Sequence, residues 1–572
     1  MRVVAVGLDA MERTLVEALM ADGALPNLAA IRNRAVRCHL QNTVEYRSEL
    51  PYTQFLTGKG GSANGYWTTV AFDPSTYDVA TTGALDAKPF YALGQGTKVV
   101  QFDVPHSVLA DDVDGIQITG WGCHSPQYPR AARPAGMLRE IDARFGPHPA
   151  WGNDSEPGWY EPDYIEALTE ALRVGAHRRI DVLEWLQRRV PDWDLLLTVM
   201  SEPHSAGHHL WHGIDVDHPL HHAATAELAR QRLLDTYAAV DDAIGRLDRS
   251  LPDDVALMVF ALHGMQPNEN DLPSLVLLPE LLHRLWKGRP LLRDGEQSTW
   301  AADGYEPLVP ERHQRWIAYM QAAFAGRFRD DPVHRLRTLV PGPLVDLARR
   351  ATGRFVPPPV GVLGWPVPPE TDLSIEEIRQ WREHLRWQVP TWYRRHWPTM
   401  PAFVLPTFSD AHVRINLAGR ERDGIVPREQ YRAVGEQVID IVRRCRDPRT
   451  GEPVLEDALW THGDDPFDPG APDADLVLFW RRPVDALEHP DAGTVGPFPF
   501  MRTGEHSSAG FAYLAAPGLA PTDLGERSAL DVTPTIVELL GHQPPADMAG
   551  ASLLGATAPL ATTSAGGGGA GT

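Results

Sequence analysis

An α/β architecture, with a mostly parallel central sheet sandwiched between helices, is the fold class this sequence predicts. Three observations carry it. Continuous apolar runs of strand length recur along the chain, amphipathic stretches of helical length separate them, and acidic, histidine and serine residues follow the apolar runs directly. Strands buried on both faces read as unbroken apolar segments, and ligands of such sheets bind beyond the carboxyl ends of the strands.

The first run, Arg2–Leu8, is followed at once by Asp9 and then by a helical stretch from about Glu12 to Ala21. A second run, Asp194–Val199, comes after a helix ending near Arg189 and leads into Ser201-Glu202-Pro203-His204. A long helix from roughly Ala223 to Arg249 precedes the third run, Val255–Leu262, which ends in His263-Gly264. Residues 121–165, rich in Pro, Gly and Trp, read as a loop excursion. Residues 286–400 hold eight of the seventeen Trp and sixteen Arg. That stretch reads as a helical subdomain with core Trp and solvated Arg, or as a cap offering stacking faces and anion forks to a substrate. The expected organisation is a first part of the core over 1–285, an inserted cap over 286–400, a second part of the core over 401–560, and a flexible tail over 561–572.

Composition narrows the partners. A net charge of −22 over 572 residues repels nucleic-acid polymers at long range. Three cysteines, Cys38, Cys123 and Cys445, lack CxxC spacing, so neither a disulfide scaffold nor a thiolate zinc module is expected. No apolar run approaches a membrane span, and Asp9 interrupts the first run before it could serve as a signal sequence. A cytoplasmic protein with a small anionic substrate and no membrane partner is the expectation; the sequence does not indicate an oligomeric state.

Several residues at strand ends carry chemistry. His204 and His208 stand four apart, so one helical turn would put both imidazoles on one face, ready for a metal ion, although His209 and His212 crowd the same segment. His263 follows the next strand. Ser48 precedes a short helical stretch with Pro51 in its first turn and Gly58 at its end. It reads as a capping serine or as a nucleophile beside a helix N-terminus. Its neighbour Arg47 is a candidate anion contact, and Asp9 is the natural carboxylate ligand. His506, in Thr503-Gly504-Glu505-His506-Ser507, precedes a further apolar run, Phe511–Ala516. Gly58-Lys59-Gly60-Gly61 lacks the frame of a phosphate-binding loop, and no Gly-x-Ser-x-Gly elbow marks a serine hydrolase.

Taken in order, GLDAMERTLVEALMADGALPNLAAI, SELPYTQFLTG, SEPHSAGHHLW, ALHGM, RINLAGRERDGIVPREQY, RDPRTGEPVLEDALW, PDADLVLFW and DVTPTIVELLG resemble the alkaline phosphatase superfamily, in its type I phosphodiesterase/nucleotide pyrophosphatase branch. The resemblance implies a two-metal centre that activates a Ser or Thr nucleophile. Carried over, one ion would take Asp9, Ser48, position 262 and His263, and the other would take position 204, His208 and His506. Ser48 and His263 would be the catalytic residues. One or two divalent ions are implied, zinc first, with iron or manganese as alternatives.

Two positions depart from the family pattern. His204 stands where the family has Asp, and Leu262-His263 where it has Asp-His. Three carboxylates facing two divalent cations are thereby reduced to Asp9 alone, and the formal balance of ligands and ions rises from about +1 to about +3. Glu49, Glu202 and Glu505 are neighbours in sequence that could swing in. Three functions remain open: a metal-dependent phosphoester hydrolase or transferase acting on a phosphodiester or nucleotide-type substrate; an altered, mononuclear His-ligated enzyme with sulfuryl-transfer or oxidative chemistry; and an inactive binding protein of the same fold.

Overall fold

A computed structural model of the chain describes residues 1–47, 49–85, 87–124, 128–153, 158–295, 297–312, 314–324, 367–463 and 465–556. Ser48, residues 325–366 of the expected cap, and the tail expected over 561–572 therefore lie outside the described residues.

The expected apolar runs form the middle of a nine-stranded sheet. Across it the order is Thr522–Ser528, Val36–Gln41, Ala509–Ala515, Val255–Ala261, Arg2–Leu8, Leu195–Met200, Gly94–Phe102, Val113–Thr119 and Ala131–Arg133. The five strands from Val255–Ala261 to Val113–Thr119 all run parallel. Ala509–Ala515 is antiparallel to both of its neighbours. Alternate residues of Arg2–Leu8 face opposite layers. Val4, Val6 and Leu8 share an apolar cluster with residues of the helices Pro162–Arg189 and Ala226–Ser250, while Val3 and Ala5 cluster with Leu50–Thr57 and Val532–Leu539. Both faces are thus covered, which is why the strand is apolar throughout.

Register delivers the site. Leu8 pairs with Met200 and Gly7 with Phe260, so Asp9 leaves the sheet level with Ser201 and Leu262. Asp9 N–H donates to the Met200 carbonyl at 2.9 Å. Helix Arg13–Ala21 follows, one residue inside its expected start, because Glu12 caps it by accepting from Thr14 and Leu15 N–H at 2.9 and 2.6 Å.

Two regions differ from the sequence expectation. Residues 121–165, expected as a loop, include the edge strand Ala131–Arg133 and helix Met137–Phe145, separated by Pro134 and by Gly136 at φ 88°. The second difference concerns the expected cap. Ala402–Leu405, Ala411–Ile415, Leu476–Trp480 and Leu455–Trp460 form a separate antiparallel sheet, in that order. Its core is continuous with Trp316, Met320, Trp392 and Trp397, and Trp397 stacks on Phe403 at 4.6 Å. The expected division at residue 400 therefore runs through one packed unit, and the return to the central sheet comes with Ala509–Ala515. Short apolar strands such as FVL and LVLFW look the same in sequence whichever sheet they join. Among the described residues no single helix is long and apolar enough to cross a membrane.

Candidate metal centre and active site

Helix Glu202–Leu210 begins directly after strand Leu195–Met200, with Pro203 in its first turn. Its geometry sets His204 and His208 one turn apart with ring centroids 4.4 Å from each other and their Nε2 atoms 3.2 Å apart. His506 reaches the same place by another route. Strand Gly504–Ser507 pairs antiparallel with Gly264–Pro267, opposing His506 to Met265. The His506 ring then lies 4.9 Å from His204, 5.0 Å from His208 and 4.4 Å from His263. Four histidines separated by up to about three hundred residues of sequence meet at the carboxyl edge of the parallel strands.

The donor set fits a divalent cation. An ion held tetrahedrally at about 2.0–2.1 Å from imidazole nitrogens keeps those nitrogens about 3.3 Å apart, close to the 3.2 Å between His204 and His208. His208 Nδ1 lies 2.7 Å from the Gly504 carbonyl, so it carries the proton and leaves the Nε2 lone pair facing the cluster. Neither ring nitrogen of His506 or His263, and neither carboxylate oxygen of Asp9, is hydrogen-bonded among the described residues, although all three side chains are buried. Groups left in this state are costly unless something accepts their lone pairs. Two triads bring ligand atoms within 4.8 Å of one another: His204, His208 and His506; and Asp9, His124 and His204.

Electrostatics keep the imidazoles neutral. Burial, then Arg502, then His204 hold His208 well below the ordinary histidine range. Burial and the neighbouring His263, His204 and His208 do the same to His506. His263 is pushed down to about 4 by burial, against the pull of Asp9, whose Oδ1 lies 3.4 Å from its Nε2. Neutral imidazole is the form that ligates.

The neighbouring glutamates are engaged elsewhere. Glu202 faces His148 Nε2 at 3.1 Å and Arg179 Nε at 3.5 Å; burial opposes its charge, but Arg179 and His148 hold its carboxyl below the usual range. Glu49 accepts from the backbone N–H groups of Thr69 and Phe408 at 2.8 and 3.3 Å. Glu505 accepts from the His506 N–H at 2.7 Å. Asp9 is thus the one carboxylate in either triad among the described residues, and Leu262 is buried. Arg47 is buried, with Nη2 2.6 Å from Glu269 and 3.5 Å from Asp410.

Two residues here were not singled out from sequence. His124 follows the end of strand Val113–Thr119, and its ring lies 4.7 Å from His204. Arg502 donates to both carboxylate oxygens of Asp271 at 2.8 and 2.9 Å and reaches His208 Nε2 at 3.2 Å. Arg502 stands directly before the segment that carries His506, whereas His124 follows a strand, Val113–Thr119, that no unbroken apolar run marks. Among the described residues, the non-glycine residues Ala10, Asp103 and His106 take positive φ just past strand ends at this edge, where backbone strain is commonly stored at functional sites.

The site is that of an α/β protein in which a mostly parallel sheet gathers buried imidazoles and one aspartate at its carboxyl edge. Residues 3–304 match the family model described as type I phosphodiesterase / nucleotide pyrophosphatase, and the chain belongs to that family. No curated protein sequence matches. Among solved structures, the chain is similar to phosphonoacetate hydrolase from Sinorhizobium meliloti 1021 in complex with phosphonoformate, at 13% identity and a TM-score of 0.44, covering 94% of this chain and 95% of that one. The phosphonoacetate complex of the same protein gives 12% identity, a TM-score of 0.41 and the same coverage.

Proposed function

We propose that this chain is a metal-dependent hydrolase or transferase of a phosphoester, of phosphodiester or nucleotide type, with Ser48 as nucleophile and a divalent ion, zinc first, held by His204, His208 and His506. The observation that carries the reading is the buried trio of imidazoles, preset in the ligating tautomer at His208 and spaced for tetrahedral coordination. An ion bound there would supply stabilisation for the charge that develops on the transferring phosphoryl oxygens.

The chain's own residues supply the rest. Ser48 lies between Arg47 and Glu49, directly ahead of helix Leu50–Thr57. Its hydroxyl oxygen would form the new bond to phosphorus as the ester oxygen leaves, and water or an acceptor alcohol would then cleave the seryl ester. His263, neutral and beside Asp9, is suited to accept a proton at Nε2 and return it to the leaving oxygen. Arg502 and Arg47 are the guanidinium groups offered to an anionic substrate. Both are already offset by carboxylates, so they orient the anion more than they attract it.

The test is turnover of an activated aryl phosphate diester by the zinc-loaded protein. Ser48→Ala should abolish turnover while metal content stays as in the unaltered protein, and unchanged turnover would remove Ser48 from the mechanism. A protein that binds zinc but turns over no phosphoester, while consuming dioxygen once loaded with iron, would favour the oxidative reading.

A further inference from the structure

The trio just assigned shares a member with a second triad. Asp9, His124 and His204 also bring their ligand atoms within 4.8 Å of one another, and His124 belongs to no position carried over from the family. Its loop is tied to the helix that bears His204: Cys123 Sγ lies 3.2 Å from Ser201 Oγ, at the N-cap of helix Glu202–Leu210. A cavity of about 40 Å³, lined by Asp103, His106, Thr119, His124, Tyr128 and Ser201, adjoins His124. That is room for about two or three waters beside His124. His263 Nε2 stands 3.4 Å from the Asp9 carboxylate on the same side.

Elementary ligand chemistry limits how the two triads are used. A neutral imidazole has one lone pair, because its other nitrogen carries the proton, so His204 ligates one ion at a time. Charge points the same way. Two divalent ions here would face a single carboxylate, where the family pattern supplies three. Leu262 contributes nothing to either triad.

We infer that His124, with Asp9 and His204, forms a second seat for the divalent cation, overlapping the three-histidine seat through His204, so that the chain holds one ion in either seat and not one in each. The inference rests on the metal-binding part of the proposed function. One carboxylate and two imidazoles make the second seat harder in ligand character than the first, and it stands on the side of the cluster where Asp9 leaves the sheet.

Cobalt(II) serves as the probe. The purified full-length protein is stripped with chelator and titrated, the ions per chain are counted after desalting, and the visible d–d spectrum is recorded. The unaltered chain should take one equivalent. His208→Ala should still take one, more weakly and with a shifted spectrum, because Asp9, His124 and His204 remain. His124→Ala should take one with the unaltered spectrum, and the double variant His124→Ala/His208→Ala should take none. Should His208→Ala not fold, His506→Ala replaces it, since it also spares the second triad. Two equivalents in the unaltered chain would overturn the inference, as would complete loss of cobalt from His208→Ala and His506→Ala, or a double variant that binds as well as His208→Ala. No cobalt bound by the unaltered chain would instead defeat the metal-dependent reading itself.

Discussion

The two sides of the strand-end cluster are built by different means. On one side, His204 and His208 come from a single helical turn and His506 from a short strand locked against Gly264–Pro267, with the Gly504 carbonyl fixing the tautomer of His208. On the other, Asp9, His124 and His263 come from three separate strand ends, with Leu262 buried directly before His263. Regular elements hold the imidazole side, so its ligand directions are set before any ion arrives; the aspartate side depends on loops and on one uncompensated carboxylate. Cation affinity should therefore reside on the imidazole side.

The largest effect should follow from removing a ligand of the imidazole side. His506→Ala should weaken zinc retention on desalting and lower turnover of the aryl diester by about 10³-fold, the scale of losing a stabiliser of phosphoryl-transfer charge. Arg502, hydrogen-bonded to His208 Nε2, should keep the metal-free variant folded. Full turnover by His506→Ala would break the comparison, because the ion would then act from the aspartate side alone.

The next effect tests the aspartate side. Leu262→Asp adds, in a fully buried position, the carboxylate that the family resemblance leads one to expect there. Without metal, the added charge beside Asp9 has no partner, and stability to urea should fall by about 3–5 kcal/mol. With zinc the loss should shrink, since binding to the folded state alone adds about 2.7 kcal/mol at a hundredfold excess over Kd, and a second equivalent should bind. A metal-free variant as stable as the unaltered chain would mean that a neighbouring group neutralises position 262 and that the two sides differ less than their ligands suggest.

How much of this was legible in the sequence follows from the same contrast. The unbroken runs DLLLTV and VALMVFAL place their strands without ambiguity, and the i, i+4 spacing places His204 against His208. The glutamates misled for a helical reason. Glu202 stands two residues before His204, about 200° around the helix at 100° per residue, and so faces Arg179 and His148 instead of the cluster. His124 could have been raised by the rule that raised His263, a histidine just after a strand, but its strand, Val113–Thr119, carries Asp114, Gln117 and Thr119 and lacks the unbroken apolar signature. The antiparallel unit was illegible because Ala411–Ile415 pairs with Leu476–Trp480 across some sixty residues, a separation that local pattern does not encode.

The smallest effect sharpens the comparison through acid. Behind the imidazole side lies a second layer of buried histidines. His212 is pushed down to about 3 by burial and by His218 and His221, and His218 to about 4 by burial, against its hydrogen bond with the Thr503 carbonyl at 3.1 Å. Thr503 N–H in turn donates to the His208 carbonyl at 2.8 Å, so this layer braces the strand that carries His506. These side chains stay neutral in the folded chain at pH values where the unfolded chain has protonated them. Between about pH 6.5 and 4 the unfolded state therefore binds more protons, and stability rises with pH through that window. It is fully present above pH 6.5 and is lost as pH falls towards the folded values. Each such histidine contributes at most about 1.4 kcal/mol per pH unit. The urea midpoint of the metal-free protein should be flat above pH 7 and fall from pH 6.5 to 5, with a shallower fall in His218→Gln, whose neutral amide can keep the bond to Thr503. A midpoint that stays level down to pH 5 would show these histidines charging inside the fold, and the imidazole side would lose its claim to be the rigid one.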